Sequence, residues 1–152
     1  MTDWQSYIKK YVWDDDKTPY FTPVRKLNKY QADHEVFFYA FMIVILFFFV
    51  SIISLTENAP HGKSYGVALY TFSVACSAVR LGTTKHVYAA FYLALAPLVT
   101  LVYFLVRGFP PNLATIDEVV LVVVCLALLW YSKRVVAIAH AYPHLPDAPE
   151  ER

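Results

Sequence analysis

Residues 36–55 read VFFYAFMIVILFFFVSIISL, twenty positions without a charge. Wound as a helix at about 1.5 Å per residue, this run crosses the roughly 30 Å hydrocarbon core of a bilayer. It begins only after 35 residues and is too long for the core of a cleavable secretory signal, so it is expected to direct its own insertion.

Downstream of this run the apolar stretches repeat. The stretch 56–63 holds Asn58, Pro60 and Gly62, which is turn chemistry. A second span is expected over about 64–81, with Arg80 snorkelling from its last turn and Gly82 closing it in a left-handed cap. Thr83 or Thr84 would then cap a third span at 87–106, where Pro97 should kink the helix and Gly108, Pro110 and Pro111 stop it. Thr115 and Glu118 have the spacing of a capping box ahead of a fourth span, about 117–134. Its uncharged core is short, 119–132, so Lys133 and Arg134 should mark its exit, with the helix extending to about 142 before a proline-punctuated tail at 143–152.

Upstream lies an arm, residues 1–35. Thr2-Asp3-Trp4-Gln5 has capping-box spacing, and Trp4, Tyr7, Ile8, Tyr11 and Val12 recur at helical steps, giving a short amphipathic helix. That helix either lies in the headgroup layer or packs on a partner. Asp14-Asp15-Asp16 ends it, and the stretch containing Pro19 and Pro23 reads as extended chain. A plain acidic run lacks the spaced oxygens and tight turn of a calcium site, so it reads as a solvated cluster.

Composition agrees with these spans. Of 152 residues, 58% are hydrophobic and 16% charged, too apolar for an ordinary soluble domain and close to what four spans require. Thirteen basic against twelve acidic residues give a net charge of +1, which excludes a nucleic-acid binder that works by bulk charge. Cys76 and Cys125 sit inside apolar runs, where a thiol is a small hydrophobe. With four spans, Lys9, Lys10, Lys17, Arg25, Lys26, Lys29, Arg80, Lys85, Lys133, Arg134 and Arg152 share one side, leaving only Lys63 and Arg107 on the other. By the positive-inside rule both termini are then cytoplasmic. The expected fold is an all-α integral membrane protein of four transmembrane helices in two antiparallel hairpins, preceded by the short amphipathic helix and residing in a bacterial inner membrane. The two hairpins share no internal repeat.

Chemistry is sparse. No ionisable residue falls at mid-depth in a span, so the sequence predicts no buried ionisable group, and with it no proton relay and no catalytic residue. No cofactor is required; a bound lipid, quinone, pigment or haem would be compatible, and the aromatic face of the first span would suit a pigment, a quinone or a foreign helix. His34 and His86 both lie near the cytoplasmic face and are the candidate cofactor ligands. His140 and His144 have helical ligand spacing, but Pro143 stands between them, and His61 stands alone in the opposite loop. No metal site is expected. Gly66, Ser73, Ser77, Ala90, Ala94 and Pro97 are the candidate helix-packing positions, since small side chains let transmembrane helices approach.

The function expected is a non-catalytic accessory or scaffolding subunit of a larger, energy-converting membrane complex. Trp4, Tyr7, Tyr11, Trp13, Tyr20 and Phe21 on the arm would lie on the partner complex. The alternatives are a small transporter or channel component, built around Pro97, Tyr70, Thr71, Ser73, Ser77 and Thr100, or a haem- or quinone-linked electron-transfer protein. Beyond such a complex the bilayer is the one partner expected, with no nucleic acid and no soluble substrate.

Overall fold

The computed structural model describes residues 22–57, 59, 61–110 and 113–147. Helix accounts for 81% of these residues and strand for none, so the fold is all-α. Four long helices follow one another: α1 (Lys29–Ile53), α2 (Tyr65–Thr84), α3 (Val87–Arg107) and α4 (Thr115–Ala141). Short 3-10 turns, Val24–Lys26 and Tyr142–His144, flank them. Three of the helical segments, Lys29–Ile53, Val87–Arg107 and Thr115–His144, are long and apolar enough to cross a bilayer. The chain is a multi-pass membrane protein.

Its surface supports the same conclusion. Phe37 is 61% exposed, Leu105 83% and Trp130 68%, and these belong to faces that remain apolar along whole helices. A continuous apolar surface of that kind is unfavourable against water and suited to lipid. The predicted amphipathic helix, Asp14-Asp15-Asp16 and the aromatic side chains of Trp4, Tyr7, Tyr11, Trp13, Tyr20 and Phe21 lie outside the described residues.

α1 starts seven residues before the apolar run. Asn28 caps it: its side chain accepts from the Gln31 N–H at 2.8 Å while the Gln31 side chain accepts from the Asn28 N–H at 3.1 Å. That reciprocal box lets the helix begin in polar sequence, which a search for uncharged residues passes over. His34 and Glu35 therefore belong to α1 rather than to the arm.

The next helix ends differently from expectation. Gly82 is not the cap of α2; the helix continues to Thr84, and Lys85 takes the left-handed conformation at φ 51°, its N–H donating to the Leu81 carbonyl at 2.9 Å. Gly82 serves packing instead, because a Cβ there would stand 3.3 Å from the Ala40 Cβ on α1. Lys85 is held in its unfavourable conformation by Asp33, 2.6 Å from its ammonium, and by the Tyr142 ring beneath it. Replacing Gly82 with leucine should force α1 and α2 apart and lower stability by about 1–3 kcal/mol in a detergent unfolding titration. An unchanged midpoint would show that the two helices do not depend on this approach.

Two other predicted caps are corrected. Thr83 and Thr84 do not cap α3; their hydroxyls donate back to α2 carbonyls, at 3.0 Å to Val79 and 2.8 Å to Arg80, and His86 occupies the N-cap position. Thr115 is the first residue of α4 rather than its cap, which is Ala114. Asp117 and Glu118 still fall in the first turn, where they favour the positive end of the helix dipole. α3 continues unbroken through the buried Pro97, and α4 passes Lys133 and Arg134 without a break, since Val135, Ile138 and Ala139 beyond them are buried.

α1 packs most extensively on α2, and α3 on α4, with a thinner α2–α3 seam. Ser51 stitches the first pair by donating to the Ala68 carbonyl at 2.9 Å. α1 and α4 meet at the end where α1 begins and α4 finishes, here called the charged end. Leu27, Val36, Leu81, Leu93, Val135, Ile138 and Leu145 share one buried cluster. The tail thus folds back as far as Asp147: Leu145 is buried, and the Pro146 carbonyl accepts from the Lys29 N–H at 2.9 Å.

Candidate functional site

At the charged end, immediately before the apolar run, α1 buries a carboxylate. Glu35 is 2% exposed. An isolated charge so placed would be severely destabilising, and it persists only if its oxygens are matched by donors. α4 supplies them from two residues three apart, which the helical repeat puts on one face. The Arg134 guanidinium grips the carboxylate in bidentate fashion, Nε donating to Oε1 and Nη2 to Oε2 at 3.0 Å. The Tyr131 hydroxyl donates to Oε1 at 2.9 Å. Arg134 has a further N–H to offer, and Nη1 donates to the Thr22 carbonyl at 2.8 Å, fixing the chain as it enters the bundle.

Two ionic contacts surround this centre. Asp33 pairs with Lys85 from the α2–α3 turn at 2.6 Å, and Lys29 pairs with Asp147 of the tail at 2.8 Å. The entering chain, α1, the α2–α3 turn, α4 and the tail are therefore fastened together at one end. Below the clamp, Tyr39 lies one turn deeper than Glu35, with its ring centroid 5.8 Å from that of Tyr131. Its hydroxyl is buried without a hydrogen-bond partner. Both Glu35 oxygens accept from strong donors and the Arg134 guanidinium stays charged, so the arrangement fixes the carboxylate in one geometry.

The expectation of no buried ionisable group is thus corrected. Glu35 directly precedes the twenty-residue run, so counting uncharged positions steps past it, and Arg134 reads in sequence only as a marker of the fourth span's exit. The signal available was an acid bordering the first span and an arginine bordering the last, on the same side of the membrane by span count.

The two candidate ligands make separate contacts. His34 is exposed, its Nδ1 3.0 Å from the carbonyl of Tyr30 on its own helix. His86 sits at the start of α3 with its Nδ1 buried and unpartnered. No hydrogen bond or ring contact joins the two. Among the described residues no group of three or more His, Cys, Asp or Glu side chains could hold a metal.

The packing candidates divide. Ala90 and Pro97 are buried, Ser77 and Ala94 half-buried. Ser73 ties α2 to α3 through a 2.6 Å contact with the Tyr92 hydroxyl and donates to the Tyr70 carbonyl. Gly66 packs against no other element of this chain: a Cβ there would meet nothing within 4 Å. Close approach falls instead to Ala75, Ala78 and Gly82, which sequence spacing did not distinguish from their neighbours.

No family model, curated protein or solved structure matches the chain.

Proposed function

We propose that this chain is a non-catalytic accessory subunit that builds and holds part of a larger, energy-converting complex in a bacterial inner membrane. The observation that carries the reading is the Glu35–Arg134–Tyr131 clamp. The bundle's buried charge is spent on binding α1 to α4 and on fixing Thr22, the point from which the arm departs. A scaffold needs a rigid exit point for a segment that recognises a neighbour. The arm's sequence, with Trp4, Tyr7, Tyr11, Trp13, Tyr20 and Phe21, is rich in the residue types that anchor interfaces.

In this reading α2 also crosses the bilayer, making four spans in two antiparallel hairpins. Twenty residues suffice at about 1.5 Å each, and its small and hydroxylated residues lower its hydropathy while suiting it to packing between α1 and α3. The distribution of Lys and Arg then puts both termini in the cytoplasm.

Purification of the full chain from native membranes in mild detergent, followed by mass spectrometry, should recover large membrane partners in fixed stoichiometry. Removal of residues 1–21 should release them while the bundle stays folded. A stable monomer or homo-oligomer with no companion would overturn the proposal.

A further inference from the structure

At the opposite end of the bundle, where α1 finishes and α2 begins, an apolar groove of about 380 Å³ opens to the outside between Ser51, Leu55, Tyr65, Ala68, Leu69 and Phe72. The lining is mostly apolar, and the Ser51 Oγ–H is committed to the Ala68 carbonyl. Leu69 is 73% exposed, so this wall faces whatever surrounds the bundle, which for a membrane protein is acyl chain.

Three features at the groove's mouth point to a negative charge. Lys63 is exposed, and its ammonium lies 5.1 Å over the ring of Tyr65, which also lines the groove. No acidic partner is shown for it among the described residues. α2 begins there, at Tyr65. The Ser64 hydroxyl accepts from Val67 and the Ser64 carbonyl from Ala68, which leaves the first-turn N–H groups of Tyr65 and Gly66 without a protein acceptor. A Cβ on Gly66 would meet no other part of the chain within 4 Å, so no neighbouring element crowds that side of the helix start. Unpaired N–H groups at a helix start, reinforced by a lysine, favour a phosphate oxyanion.

We propose that this groove is a specific site for an anionic phospholipid, with its phosphate at Lys63 and the Tyr65 and Gly66 N–H groups and one acyl chain laid between α1 and α2. The role of Gly66 follows from this: it keeps the helix start open for a headgroup rather than for a neighbouring helix.

Native mass spectrometry of the full chain in detergent, titrated with dioleoyl phosphatidylglycerol or dioleoyl phosphatidylcholine, tests the site. The glycerol lipid should be retained preferentially, and Lys63→Gln should reduce its retention about fivefold, the effect of one basic residue beside an anionic surface, while leaving the choline lipid unchanged. Phe72→Ala should weaken both lipids alike by removing part of the groove wall. Excess inorganic phosphate should not displace the bound lipid, because it lacks the chain. Equal retention of the two lipids, no response to Lys63→Gln, or complete displacement by phosphate would each overturn the proposal.

Discussion

Arg134→Ala is expected to destabilise the bundle by about 3–5 kcal/mol, the cost of leaving a buried charge without its partner. Glu35 would keep only the Tyr131 hydroxyl among the donors shown for it, in surroundings where it is 2% exposed, and Thr22 would lose the donor that fixes the entering chain. Thermal or denaturant unfolding in detergent, followed by circular dichroism, reads the loss directly. Removing both charges should recover most of it, because an apolar pair of similar volume often replaces a buried ion pair at little cost; Glu35→Leu combined with Arg134→Met is the appropriate double variant. If Arg134→Ala alone unfolds at the wild-type midpoint, the clamp is not what joins α1 to α4. If the double variant is as unstable as the single one, the loss comes from packing rather than from the stranded carboxylate. The pair also bears on function, since restored stability without restored partner binding would place the clamp in the positioning of the arm.

The second large effect concerns the solvent around the bundle. Val123 lies inside the uncharged part of α4, five residues after Glu118, and is 57% exposed. On a water-facing helix Val123→Lys would be close to neutral. Facing hydrocarbon inside the span, it should add up to about 3 kcal/mol to the apparent free energy of insertion. α4 is the helix to test because its uncharged stretch is short, so the same penalty shifts its insertion measurably where α1 would absorb it. A glycosylation reporter placed after residue 152, read in microsomes, should show α4 failing to cross in the lysine variant and crossing normally with Val123→Leu. Normal crossing of Val123→Lys would mean that this face is covered by protein or water, and the membrane-facing assignment of α4 would fall.

These expectations rest on features of unequal visibility in the sequence. The twenty-residue run of α1 announces itself, because nothing else in water-soluble chemistry requires so long a stretch without charge. The boundaries were harder to read. Asn28 and Gln31 form their box in polar sequence, and Gly82, a natural terminator by residue type, is consumed by the 3.3 Å approach to Ala40 while Lys85 takes the turn. A glycine's permissiveness allows either use, and only the neighbouring helix decides between them. The same holds for the small residues of α2, where Gly66 faces outward and Ala75 and Ala78 face inward. Local spacing gives a periodicity but not the direction in which the partner lies.

What the sequence determined alone is the class of the protein: an all-helical chain whose apolar runs are long enough to lie in a bilayer, because the satisfaction of backbone hydrogen bonds in hydrocarbon is a local requirement that each helix meets for itself. What only the tertiary structure decided is where charge is buried and what it does. Glu35 and Arg134 stand 99 positions apart, so neither residue reveals its partner in a local window. Their bond exists because packing brings the start of α1 against the end of α4, and burial there turns an unremarkable acid and base into the clamp on which the proposed scaffold depends.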